Sequence, residues 1–230
     1  KINPSLIWVL GISGVFLVVH WVTYFYALQL TNVAVGMLSL FTYPVISALL
    51  EPMILRTKMD WLHIPLAILI LVGVGFLVPE FSFSNDTTIG VALGVFSAFL
   101  YSLRNIMLKG RAHSINGMVI MWYQMLSGVV ILFAFLFIKP FESVQSALPG
   151  LITLALVTTT LGHTLFVMSF KKFSISTASM ISSLQPVLGI LMGFIFLGEV
   201  PSGKTYIGGG LIILTVVTET WRSNRKRKKT

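Results

Sequence analysis

Apolar runs long enough to cross a bilayer recur along the whole chain, separated only by a few polar or helix-breaking residues. Stretches such as 7–20, 64–78 and 187–197 hold almost nothing but aliphatic, aromatic and small side chains. A helix needs about 20 mainly apolar residues to cross roughly 30 Å of hydrocarbon. In that medium every backbone N–H and C=O must find a partner within the protein, which the α-helix does by itself. Reading the runs between breakers predicts eight spans, at 6–28, 33–55, 61–78, 88–108, 117–138, 148–170, 177–197 and 204–221. The fold class is therefore all-α, a polytopic membrane helix bundle. Only 10% of the 230 residues are charged. A soluble domain carries about 25%, so this chain lacks the charge to clothe a water-exposed surface.

The basic residues set the direction of threading. With the N-terminus inside, 14 of the 16 Lys and Arg fall on the inner side, leaving Lys139 and Lys204 outside. The positive-inside rule then makes both termini cytoplasmic, and the plasma (inner) membrane is the expected location. Of the 16 Lys and Arg behind the net charge of +9, six lie in the tail 222–230. That tail has the composition of a nucleic-acid patch, but beside a membrane span it reads as a topology anchor touching anionic lipid. Lipid is thus an expected partner and nucleic acid is not. The absence of cysteine excludes disulfides, zinc-thiolate sites and thiol catalysis. Asn85-Asp86-Thr87, in a predicted outer loop, is a glycosylation sequon.

An internal repeat organises the spans. The second reads Val33-Ala-Val-Gly-Met-Leu-Ser-Leu-Phe-Thr-Tyr-Pro44-Val45, and the seventh Ile175-Ser-Thr-Ala-Ser-Met-Ile-Ser-Ser-Leu-Gln-Pro186-Val187. Each has a small-residue half, then Pro-Val, then a bulky half, at a shift of 142 residues. Around them, His20 in the first span corresponds to His163 in the sixth, and Gly73 and Gly75 in the third match Gly208–Gly210 in the eighth. Spans two and seven are an odd number apart, so they run in opposite directions, an architecture recurrent in secondary transporters. Spans four and five find no partners. The expectation is a ten-helix parent of two five-helix repeats, with 1–87 the remainder of the first, 88–221 the second and 222–230 a basic cytoplasmic tail.

The segment from Ala27-Leu28 to Pro44-Val45 resembles the drug/metabolite transporter superfamily, EamA type. So do Ser176-Thr-Ala-Ser, Leu184-Gln-Pro-Val187 and Phe196-Leu-Gly-Glu199, with Ile207-Gly208 and Leu211-Ile-Ile after them. The resemblance implies a cavity shared by two repeats and the export or exchange of small metabolites. One position departs from it. The Glu that in that family often ends the Pro-containing helix is present as Glu199, but its equivalent at 57 is Thr.

Polar groups at membrane depth are costly and so become candidates for function. At about 1.5 Å per residue, His163 lies roughly 12 Å above Lys171 and His20 roughly 21 Å above Leu6, both near the midplane. Tyr43-Pro44 and Gln185-Pro186 lie halfway along their spans. The expected solute-binding residues are His20, Tyr24, Tyr43, Tyr101, Arg104, His163, Ser183 and Gln185, with Pro44 and Pro186 as hinges. His20, His163 and Glu51 are candidates for proton coupling, since an imidazole titrates near neutrality. Each has a plainer alternative. A histidine satisfied by a neighbouring Ser, Thr or backbone group is inert, Glu51 at a span end is simply solvated, and Arg104 can snorkel to the inner surface.

The repeats Gly90-x-x-x-Gly94 and Gly189-x-x-x-Gly193 read as close-packing faces, within the fold or in a homodimer. The string Gly11-Ile-Ser13-Gly14 has a counterpart in intramembrane serine proteases, but Ser13 and His20 stand about 10 Å apart along one helix, too far for a nucleophile–base pair. Two midplane histidines without an acid are too few to hold a catalytic metal. No cofactor is expected, and the partner is a small organic solute.

Overall fold

The protein is described by a computed structural model covering residues 4–56, 58–78, 82, 84–108, 115, 117–133, 148–162 and 185–227. Among these residues the secondary structure is helical without a strand. The elements are α1 (Pro4–Leu30), α2 (Val33–Leu40), α3 (Tyr43–Leu55), α4 (His63–Leu77), α5 (Asp86–Leu108), α6 (Gly117–Phe133), α7 (Gln185–Leu197) and α8 (Gly203–Arg227), with a π-helical stretch, Leu154–Gly162, between α6 and α7. Leu6–Leu30, Val33–Leu55 and Asp86–Leu108 are each long and apolar enough to cross a membrane. The shorter apolar helices are His63–Leu77, Gly117–Phe133, Leu148–Val157 and Gln185–Leu197.

Burial departs from that of a water-soluble protein, with large apolar side chains left exposed and small polar ones buried beside the apolar core. Phe196 is 75% exposed and Trp8 74%, while Ser13, Ser39, Ser97, Ser102 and Gln124 are fully buried. Large apolar groups facing out and small polar groups facing in suit a solvent of lipid tails. There, helices associate through close packing and hydrogen bonds rather than through expulsion of apolar side chains from water. The molecule is a polytopic membrane helix bundle.

The chain divides into two compact units, residues 1–18 with 108–178 and residues 19–107 with 179–230. In the first, Leu10, Leu108 and Ile120 form the core. Beside it Ser13 Oγ donates to Leu10 O at 2.8 Å and accepts from Gln124 Nε2 at 2.9 Å. Ser13 is thus occupied as a packing hydroxyl rather than exposed as a nucleophile. A Cβ on Gly14 would stand 2.7 Å from Ser127 Cβ, so α1 and α6 meet where the side chain is smallest.

The second unit is built on two antiparallel helix pairs, and they are the pairs matched by the repeat. In α2 and α7, Gly193 lies against Val33, and Gly189 lies so close to the end of the Met37 side chain that a Cβ there would have to displace it. The numbers rise along one helix as they fall along the other, so the two run oppositely. In α4 and α8, a Cβ on Gly208 would stand 2.5 Å from Gly73 O. Further along the same pair, His63 Nε2 lies 3.2 Å from Glu219 Oε1. Val35, Leu38, Leu77, Val78, Val91 and Ile212 fill the core between these helices. The α5 repeat is used in the same way, with Gly90 against Ala27 and Thr31 and Gly94 against Ser39.

Helix ends carry their own signals. Asn32 is the N-cap of α2, its side chain accepting from Val35 N at 2.9 Å. Gly198, at φ 67, ends α7 in the left-handed region, its N–H bonded to Phe194 O at 3.2 Å. That turn carries the next residue back across the pair, and Glu199 Oε2 accepts from Val33 N at 2.8 Å. Arg56 ends α3 in the same left-handed conformation, φ 53, with its N–H on Pro52 O. It lies 142 residues before Gly198, the spacing that relates Pro44 to Pro186. At the other end of α8 the helix does not stop at 221 as expected but continues to Arg227. Arg222, one residue past the predicted span, pairs with Glu219 at 2.7 Å, with Asp60 ahead of α4, and with His63 Nε2 at 2.6 Å.

Candidate functional site

The predicted second span is broken. Pro44 has no N–H to bond the Leu40 carbonyl, so the i→i−4 ladder fails there, and α2 and α3 are separated by a turn at Phe41 and Thr42. Local groups re-satisfy the break. Thr42 Oγ1 donates to Ser39 O at 2.8 Å, and Phe41 N bonds Met37 O at 2.9 Å. From α5, the Ser102 hydroxyl stands 3.0 Å from Tyr43 O and 2.8 Å from Ala98 O.

Around this break the second unit gathers five of the expected residues. Ser97, Tyr101 and Arg104 recur at i, i+4 and i+7 on α5, one face of the helix, and His20 and Tyr24 at i, i+4 on α1. His20 stacks on Tyr101 with ring centroids 4.8 Å apart and lies nearly parallel to Tyr24 at 6.3 Å. Tyr101 meets Tyr43 edge to face at 5.0 Å, and Tyr43 meets Phe41 at 5.7 Å. The Arg104 guanidinium lies 5.9 Å from the Tyr101 ring centre and its Nη1 donates to Asn105 Oδ1 at 3.0 Å. Arg104 thus lies beside the rings. His20 is buried and held by Ser97, with Nδ1 2.7 Å from Ser97 Oγ and 3.1 Å from Ser97 O.

The other expected residues stand elsewhere. Glu51 is half-buried, eight residues after Tyr43 in α3 and so about 12 Å along the helix from it. Gln185 opens the described part of α7 as an exposed side chain. It shares no hydrogen bond or ring contact with the cluster among the described residues, although Pro186 beside it is buried. Depth alone places Gln185 with the cluster, and depth fixes height but not the face of the helix. His163 and Ser183 lie outside the described residues.

Sequence reasoning missed Ser97 and Ser102, both fully buried, which hold His20 and the break. Their signal was present, for Ser97 shares the α5 stripe of Tyr101 and Arg104. It also missed Gln124 and the capping role of Glu199, both of which depend on pairing between distant helices.

The comparisons agree with this architecture. The model of the EamA-like transporter family matches residues 1–78 and 88–218. An uncharacterized transporter of Synechocystis sp. is 23% identical over 206 residues, 84% of this chain and 59% of its own length. The chain thus spans about three fifths of the curated relative it matches. A solved protein crystal structure superposes with a TM-score of 0.60 at 20% identity, over 97% of this chain and 77% of that one, and shares its fold. With the family model matching nearly end to end, this multi-pass membrane chain belongs to the EamA-like transporter family.

Proposed function

We propose that this protein is a secondary transporter that moves a small organic metabolite, amino-acid-like or amphipathic, across the plasma membrane by alternating access in the direction of export. The observation that carries this reading is the ring cluster of His20, Tyr24, Tyr43 and Tyr101 beside Arg104, set at membrane depth against a broken helix. A polar, aromatic wall inside hydrocarbon costs free energy unless it contacts a solute or water. A break at mid-depth is tolerated where protein or a water-lined space re-satisfies it. Aromatic faces hold the apolar part of a solute, and the imidazole and guanidinium orient its polar part. The break at Pro44, with Pro186 as its counterpart in the sequence repeat, is the natural point for one half to rock against the other, with both termini on the cytoplasmic side.

Reconstituted proteoliposomes test the proposal. Transport predicts saturable flux of an unchanged solute, found by screening a metabolite mixture. Both His20→Ala and Tyr101→Ala should reduce it while leaving the unfolding midpoint in detergent near that of the parent. Release of a chemically altered product, or flux indifferent to both substitutions, overturns it.

A further inference from the structure

The hydrogen bonds around His20 decide which of its ring nitrogens carries the proton. Nδ1 lies 3.1 Å from the Ser97 carbonyl oxygen, a group that only accepts. Nδ1 also lies 2.7 Å from Ser97 Oγ, whose own proton is directed at His20 O, 2.8 Å away. Both contacts are attractive only when Nδ1 bears the hydrogen. The opposite tautomer would set the Nδ1 lone pair against the carbonyl lone pairs of Ser97. The neutral ring is therefore the Nδ1–H form, and Nε2 is a bare acceptor. Nε2 has no hydrogen-bond partner among the described residues. The groups facing the ring are Tyr24 on its own helix and Tyr101 on α5, with Arg104 over Tyr101 and Tyr43 at its edge. Arginine donates and never accepts, and the tyrosines present their faces or edges.

We propose that His20 Nε2 is the hydrogen-bond acceptor of the ring cluster and selects solutes that bring an N–H or O–H donor, an ammonium or a hydroxyl, against an aromatic wall. This rests on reading the cluster as a solute site and adds what that site asks of its solute. Ser97 uses up the donor side of the imidazole, so the ring cannot turn over to serve an acceptor-only group. Solutes of equal size and apolarity are then sorted by whether they carry a donor.

The test is nitrogen NMR of the full chain, labelled with ¹⁵N-histidine and held in lipid nanodiscs. The His20 signals are assigned by their loss in His20→Gln. Should that variant not fold, replacing His63, His113 and His163 leaves His20 as the one labelled ring. The expected spectrum shows a protonated, pyrrole-type Nδ1 and an unprotonated, pyridine-type Nε2. Adding 2-phenylethylamine or 2-phenylethanol should shift Nε2, the two separating an ammonium donor from a hydroxyl. The methyl ether of the same alcohol, without a donor, should leave it in place. A protonated Nε2 in the free protein overturns the proposal, as does a shift of equal size with the ether or no shift with either donor. None of these readings involves flux, so their failure is separate from a failure of transport.

Discussion

Removal of Glu199 tests the logic of the fold at one hydrogen bond. Its carboxylate accepts from Val33 N at 2.8 Å, where α2 begins with backbone N–H groups that have no partner within the helix. A net hydrogen bond to a charged group contributes about 1.5–3 kcal/mol when well buried, and a carboxylate at a helix N-terminus adds about 0.3–1 kcal/mol. Glu199 is half-buried, so the low end applies. Glu199→Ala should cost about 1.5 kcal/mol, near a tenfold shift in the unfolding equilibrium. Glu199→Gln keeps a neutral acceptor and should cost about half as much. The natural control is Val33→Pro, which deletes the donor. Proline is tolerated at the first position of a helix. Asn32 before it already has φ −150 and ψ 175, the extended backbone that a following proline demands. In that background Glu199→Ala should cost almost nothing. Unfolding by graded SDS in mixed micelles measures all four states of the cycle. An undiminished cost of Glu199→Ala in the Val33→Pro protein would refute the cap, since the carboxylate would then be acting on something else.

Four further substitutions probe the same unit by the same assay. Gly208→Val drives a side chain into Gly73 O across the α4–α8 contact and should cost about 1–3 kcal/mol. Gly210→Ala, where nothing lies within 4 Å, should be neutral or gain up to about 1 kcal/mol in helix propensity. Arg56→Gly relieves a left-handed backbone on a residue with a Cβ and should gain about 0.5–1 kcal/mol; a loss would mean that its side chain outweighs the strain. Arg222→Leu leaves Asp60 and Glu219 without their shared cation and should cost about 1–3 kcal/mol, less at high salt. Burial alone would lower the Arg222 pKa, but hydrogen bonds and charges from Glu219 and Asp60 raise it on balance. That sign makes the contribution fully present below the unfolded pKa and lost only as pH rises through the folded value, so alkaline titration from pH 6 to 9 should leave the Arg222→Leu difference unchanged.

How much of the fold was legible in the sequence depends on the range of the interactions. Helices, their breaks and their small-residue faces are local, and each derives from hydrocarbon length, proline chemistry and i, i+4 spacing. The left-handed ends of α3 and α7 show how far a local pattern reaches. Arg56 and Gly198 occupy the same place under the 142-residue shift and adopt the same backbone, one with a Cβ and one without it. The repeat thus extends past the Pro-Val motif into the turn at the helix end, although the residue types differ. The residue just beyond each turn is not repeated. Glu199 reaches back to cap α2, while position 57 carries a threonine. Depth along a span placed His20, Tyr43 and His163 in one layer, yet it also placed Gln185 there, because height carries no information about azimuth. That information comes from helix pairing, and glycine carries it most directly. Gly189 and Gly193 admit Met37 and Val33, which fixes the face α7 turns to α2. Had azimuth been read from that glycine stripe, Gln185, four residues before Gly189, would have been assigned to the α2–α7 seam rather than to the ring cluster.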